Sequence, residues 1–211
     1  KVTNQRSHPE IFADMIGVEP GEPGLELPSS ALIRAKSIVS GLSGPLIGLN
    51  TGAGGRWTAK SLPEERVVDV AREIDAHWQR THGARPTFVL LGGPEEVERH
   101  GSLLASLEGC VSVFDAKTNN GLLDFAALID GLDLLVTSDS LAMHMAIARR
   151  RQVVAFFAPT SAAEIDLFGR GVKVRSTAPD YCSYKRDADR STLTTERLVT
   201  AALGCLEDPP S

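Results

Sequence analysis

The stretch Val136-Thr137-Ser138-Asp139-Ser140-Leu141-Ala142-Met143-His144-Met145-Ala146 decides how this chain is read. Residues 132–136, apolar except for Asp133, read as a buried parallel strand. The run ends in small polar residues around one carboxylate, and a helix then starts at Leu141. Asp139 or Ser140 is placed to cap that helix, because a side-chain oxygen there accepts a backbone N–H left over in the first turn. In open α/β sheets, ligands bind beyond the carboxyl ends of strands. Helix N-termini favour anions, since unpaired N–H groups and the helix dipole point the same way. The turn is therefore a candidate anion site with Asp139, Ser140 and His144 around it. An ordinary helix cap beside a half-buried helical histidine fits these residues equally well.

Outward from this turn the pattern is regular. Strands are expected at 45–49, 87–91, 111–114, 132–136, 152–157 and 171–174. Helices are expected at 63–80, 94–106, 122–130, 141–149 and 194–206, with a helical turn at 164–168. Strands alternate with helices and are continuously apolar, as in a parallel sheet covered on both faces. The expected fold is α/β, a Rossmann-like doubly wound parallel sheet occupying residues 31–211. Residues 1–30 differ. They hold a short helix at 8–16 and a turn-rich run at 17–24, and read as an interdomain linker or the tail of a preceding domain. A further helix is expected at 29–39. The chain opens at Lys1 rather than methionine, and is expected to be a piece of something longer.

Composition narrows the function classes. Of 211 residues, 42% are apolar and 23% charged, which is ordinary for a globular protein. The net charge of −5 with scattered basic residues gives no reason to expect a nucleic-acid partner. No apolar run approaches the roughly 20 residues that cross a bilayer. Cys110, Cys182 and Cys205 are odd in number and far apart, so they form neither a zinc spacing nor a disulfide framework, and fit a reducing cytoplasm.

Four polar or Gly-rich turns follow strands. Residues 49–60 carry three glycines, which let a backbone approach a ligand and present N–H groups to phosphate. The spacing matches neither the dinucleotide fingerprint nor the Walker A loop. Lys60 is in reach of a phosphate bound there. Lys60 and Arg56 read equally as solvated loop cations. Gly92-Gly93-Pro94-Glu95-Glu96 follows the second strand, where a carboxylate could take a ribose hydroxyl or simply favour the helix start. Thr160 or Ser161 is expected to cap the turn after the fifth strand. The fourth turn is the one at Asp139. In a doubly wound sheet all four line one edge. Asn119-Asn120-Gly121 and Cys182 are read as structural.

With these residues in view, the chain resembles glycosyltransferase family 9, the ADP-heptose:lipopolysaccharide heptosyltransferases. The likeness covers about residues 44–184. Its most specific part runs from Asp139-Ser140 to His144-Met145-Ala146 and on to Phe157-Ala158-Pro159-Thr160. These follow the family's D-[ST]-x-x-x-H-x-A and F-G-P-T patterns at the same spacing. The Gly-rich loop with Lys60, and Gly92-Gly93-Pro94 with Glu96, agree in order. Ala158 replaces the family's usual glycine, and Ser61-Leu62-Pro63 stands where Arg-Trp-Pro is common.

The resemblance implies a GT-B enzyme, of which this chain is the C-terminal, donor-binding half. It implies that Lys60 pairs with the donor phosphates, that Thr51 and Gly52 offer hydroxyl and backbone donors, and that Glu96 contacts ribose or adenosine. Asp139 would bind sugar hydroxyls. Ser140, Leu141 and Ala142 would offer N–H groups to the diphosphate, with His144 close by. The proposed base of the family lies in the N-terminal domain, so no catalytic residue is expected here and the fragment alone is expected to be inactive. The implied partners are an ADP-sugar donor, a glycan or lipid-linked acceptor such as lipopolysaccharide core, and the chain's own N-terminal domain. The reaction is expected to be metal-independent and without cofactor. It is expected in the cytoplasm, or peripherally at the inner face of the inner membrane. A sugar-nucleotide 2-epimerase of the same fold and a non-catalytic nucleotide-binding module are the alternatives.

Overall fold

The computed structural model describes residues 3–52 and 57–208. Six strands lie in one sheet: β1 (Leu46–Asn50), β2 (Thr87–Leu90), β3 (Ser112–Asp115), β4 (Leu134–Ser138), β5 (Gln152–Phe157) and β6 (Gly171–Arg175). Their order is β3-β2-β1-β4-β5-β6, and every neighbouring pair is parallel. The sheet grows outward in both directions from the β1–β4 pair. In register, Asn50 at the end of β1 lies beside Thr137 of β4. The crevice beyond that pair is the topological switch point, where ligands bind in doubly wound sheets.

Among the described residues seven helices accompany the strands: α1 (His8–Ile16), α2 (Ser29–Val39), α3 (Glu64–His82), α4 (Val97–Leu107), α5 (Leu122–Asp130), α6 (Leu141–Ala148) and α7 (Thr195–Glu207). Successive strand residues point to opposite faces, which divides the core into two layers. Ile47, Phe88, Leu134 and Val154 pack with α3, α4 and α7. Val89, Leu135, Val153 and Ala155 pack with α2, α5 and α6. At Gly48 a Cβ would lie 2.4 Å from the Leu132 side chain and 3.0 Å from that of Leu135. Leucine side chains from the neighbouring strands and their flanks thus fill the space that a side chain at Gly48 would need.

Residues 17–28 run without regular structure, yet they are tied to the domain. Arg149 donates to the carbonyl of Leu25 at 2.7 Å, Arg170 pairs with Glu22, and Leu25 and Leu27 pack against the second layer. The helix α1 is closed at its start by Ser7 and Glu10, each bonding the other's backbone N–H.

Two local expectations are corrected. The helical turn expected at 164–168 is a 3₁₀ turn at Ala162–Glu164. The Asp166 carboxylate accepts from the Phe168 N–H at 2.7 Å and so diverts the backbone from helix. The fourth strand runs two residues later than 132–136. The Leu132 N–H closes the end of α5 on Ile129, while the polar Thr137 and Ser138 join the sheet, 0% and 1% exposed.

Candidate functional site

A cavity of about 470 Å³ opens at the carboxyl ends of β1 to β4. Four turns line it. The first contributes Gly52, Trp57 and Lys60, and the second Gly92, Gly93 and Glu96. The third contributes Asn120, Leu122 and Phe125, and the fourth Ser138 through Ala142. The size suits a nucleotide-sized ligand. One wall is apolar and the floor is polar.

The floor is built by hydrogen bonds that run along the sheet edge. The Asn50 side-chain amide donates to the hydroxyls of Thr137 (3.1 Å) and Ser140 (3.3 Å), which also bond each other at 2.9 Å. The Ser140 hydroxyl is therefore turned back toward β1. It occupies the cap position of α6 without making a side-chain cap bond. Asp139 does not cap the helix either. Its carboxylate accepts from Lys60 Nζ at 2.9 Å, and its backbone carbonyl from the same Nζ at 2.8 Å. Both expectations of a capped start are corrected, and for one reason: each oxygen has a partner across the sheet edge. The start of α6 thus has no side-chain cap, a suitable place for an anion. The Ser138 hydroxyl is buried and has no hydrogen-bond partner among the described residues.

A second group holds the turns after β1 and β2. Glu96 accepts from the Gly93 N–H at 2.7 Å, and its carboxylate crosses close to two glycines. A Cβ at Gly52 would lie 2.0 Å from Glu96 Oε1, and one at Gly92 2.6 Å from Oε2. Glycine at these two positions makes room for the carboxylate at the cavity wall. Behind it, His100 Nδ1 lies 3.1 Å from Asp115. Burial pushes the Asp115 carboxyl up, but bonds from His100 and Lys117 outweigh it and hold the group below its ordinary value.

Arg99 clasps the Gly-rich loop at its neck. Its guanidinium donates to the Thr51 hydroxyl (3.1 Å) and to the Leu62 carbonyl (2.7 Å), and the Leu62 N–H donates to the Thr51 carbonyl (3.1 Å). Burial lowers the Arg99 pKa, with Glu64 and Glu96 pulling the other way. The 3₁₀ turn at Thr58–Lys60 is held from outside by Arg190, which donates to the carbonyls of Thr58 and Ser61 at 2.8 Å each. Ala53, Gly54, Gly55 and Arg56 lie outside the described residues.

Of the residues singled out from the sequence, Gly52, Lys60, Glu96, Asp139, Ser140, Leu141 and Ala142 meet at this cavity. Two do not. Thr51 is 2% exposed and its hydroxyl is occupied by Arg99 beneath the loop, so it offers no side-chain donor to the cavity. His144 faces a neighbouring groove beside α1, with Nε2 4.0 Å from Asp139 Oδ1. The turn after β5 also lies elsewhere. Neither Thr160 nor Ser161 caps its 3₁₀ turn through a side chain. Its place in the cavity is taken by Thr118, Asn120, Leu122 and Phe125, of which Asn120 belongs to the stretch read from sequence as structural. Ala158, in place of the motif glycine, is not among the residues with positive φ, so an L side chain fits there. Sequence reasoning missed Asn50, Trp57, Asn120, Phe125 and Arg99. Only Asn50, a lone amide closing an apolar strand, carried a local signal. Among the described residues, no three His, Cys, Asp or Glu side chains gather as a metal site.

Comparison with known proteins places this geometry. A family model described as glycosyltransferase family 9 (heptosyltransferase) matches residues 7–194. No curated protein matches the chain. A family 9 glycosyltransferase structure from Veillonella parvula aligns over 97% of this chain and 61% of its own, at TM-score 0.76 and 20% identity. The ADP-heptose lps heptosyltransferase II of E. coli aligns over 90% of this chain and 54% of its own, at TM-score 0.66 and 20% identity. E. coli heptosyltransferase WaaC with ADP aligns over 94% and 54%, at TM-score 0.52 and 21% identity. The chain thus spans less than two thirds of each of these structures. At such identities the likeness is one of fold.

Proposed function

The chain belongs to glycosyltransferase family 9, and from that premise we propose that it is the donor-binding, C-terminal part of an inverting GT-B glycosyltransferase. The donor is ADP-heptose or a related nucleotide sugar. The observation that carries this is the convergence of Lys60 and the uncapped start of α6 on one cavity at the β1–β4 switch point. A cation and a set of backbone N–H groups on two sides of a cavity suit a diphosphate.

In this reading the nucleoside lies against Leu122 and Phe125, with its ribose toward Glu96. The diphosphate lies between Lys60 and residues 140–142, and the sugar toward Asp139. In the transfer, the bond from the anomeric carbon to the diphosphate oxygen breaks as an acceptor oxygen bonds to that carbon from the opposite face. The electron pair leaves with the diphosphate, whose added charge falls on Lys60 and the N–H groups of α6. Donors fixed where charge develops stabilise the transition state more than the ground state. They do this without a metal. The acceptor's proton goes to a base on a second Rossmann-like domain facing this edge, which also holds the glycan or lipid-linked acceptor. The setting is the cytoplasm. Among the described residues no helix is long and apolar enough to cross a membrane.

The test is titration calorimetry of the 211-residue chain with ADP and with ADP-heptose. Binding is expected, and Lys60→Ala is expected to weaken ADP-heptose by about tenfold or more, as for loss of one charge-assisted contact. Absence of binding by the unaltered chain, or unchanged affinity in Lys60→Ala, would sink this reading.

A further inference from the structure

At the cavity Lys60 and Asp139 hold each other. The ammonium bonds both the carboxylate and the backbone carbonyl of Asp139, and the two side chains are 19% and 20% exposed. The cation that would meet a diphosphate is therefore already occupied by a carboxylate from the opposite turn. Asp139 also sits beside Ser140, where the N–H groups of α6 begin. An anion arriving there competes with Asp139 for Lys60, whose ammonium has three donors and spends two of them on Asp139, and it brings new negative charge close to that carboxylate. Among the described residues, the other charged side chain near the carboxylate is His144, at 4.0 Å and only if protonated.

We propose that Asp139 discriminates the nucleotide sugar from the nucleoside diphosphate that remains once the sugar has gone. This rests on the donor-site reading above. A bare nucleoside diphosphate takes Lys60 and gives Asp139 nothing in return. A nucleotide sugar takes Lys60 but supplies hydroxyl donors to the carboxylate that Lys60 has left. The charge of Asp139 therefore weakens the product and strengthens the donor. When the sugar departs, Lys60 returns to Asp139 and the diphosphate is released. Specificity of this kind is a difference between two affinities, set by a repulsive element as much as by an attractive one.

The experiment compares Asp139→Asn with the unaltered chain, by calorimetry with ADP and with ADP-heptose. Asp139→Asn keeps the shape of the side chain and removes its charge. ADP is expected to bind about threefold more tightly or better, the scale of a partly exposed charge pair. ADP-heptose is expected to bind more weakly, so that the preference for the sugar conjugate falls by about tenfold. In the Lys60→Ala background the gain for ADP is expected to shrink, because the pair to be broken is gone. Asp139→Ser, read with the same ligands and with melting temperatures for both variants, guards against a folding defect. Unchanged or weaker ADP binding in two folded variants overturns the discrimination while leaving the donor site standing. Absence of binding by the unaltered chain as well as by the variants overturns both. A drop in melting temperature with an unchanged ratio of the two affinities assigns Asp139 a structural role and overturns the proposal.

Discussion

The turns after β4 and β5 begin alike. Each follows a buried apolar strand, each carries small hydroxyl residues, and each opens a helical turn. Their hydrogen bonds run in different directions. In the β4 turn, Thr137 and Ser140 are tied sideways to Asn50 at the end of β1, which leaves the outer side facing a cavity. In the β5 turn the bonds run outward to residues 181–184. The Ala162 N–H donates to the Tyr181 hydroxyl at 2.8 Å, and the Cys182 and Tyr184 N–H groups donate to Ala158 and Pro159. Cys182 and Tyr184 take left-handed backbone, φ +62° and +59°, to make this cover. Burial raises the Tyr184 hydroxyl pKa, and its bond to Glu164 adds to the shift. A polar turn at a strand end becomes a site only where its bonds leave one side open.

Four substitutions break or sharpen this contrast. Gly52→Ala should act most strongly on binding, because its Cβ would displace the Glu96 carboxylate from the cavity wall. ADP affinity is expected to fall about tenfold or more in a titration, with little change in melting temperature. Asn50→Ala should damage the open turn in both respects. Loss of a buried amide that serves two hydroxyls is expected to cost about 1–3 kcal/mol in chemical denaturation, and to weaken ADP severalfold. Tyr181→Phe should damage the covered turn in stability alone. An unpaired Ala162 N–H is expected to cost about 1–2 kcal/mol, and ADP affinity should not move. A loss of ADP affinity in Tyr181→Phe would erase the distinction between the two turns.

The smallest effect is one of pH. The folded Asp115 carboxyl titrates below its ordinary value of 3.8. Its contribution to stability is therefore complete above that value and is lost as pH falls through the lower, folded one. Asp115→Asn is expected to cost about 1 kcal/mol at neutral pH, and the gap from the unaltered chain should close in acid. A gap that does not narrow as the pH falls below 3.8 would remove the carboxylate's charge from the account.

Much of the fold was legible because its signals are local. Helices at His8–Ile16, Ser29–Val39 and Leu122–Asp130 and the strand Gln152–Phe157 fall where periodicity and flanking turns place them. The cavity was only partly legible. Lys60, Glu96 and Asp139 stand in strand-end turns, where chemistry is expected. Residues 118–125 showed no such chemistry. They reach the cavity because β3 lies outside β2 in the sheet, which is a matter of strand order. The Thr51 hydroxyl reads as available from local sequence, but Arg99, distant in sequence, is bonded to it. The pairing of Lys60 with Asp139 is likewise set by the meeting of β1 and β4, and no local pattern carries it.

The clasp at Thr51 and Leu62 has a consequence for how this edge can diversify. The two ends of the loop are joined by a backbone bond and by one shared arginine. Once a loop's ends are held, doubling the length between them costs only about 0.6 kcal/mol of chain entropy. Insertions between residues 52 and 57 are therefore cheap for the sheet. They would leave the strand ends and the clasp where they are, so the length of chain between the two can vary at little cost to the fold.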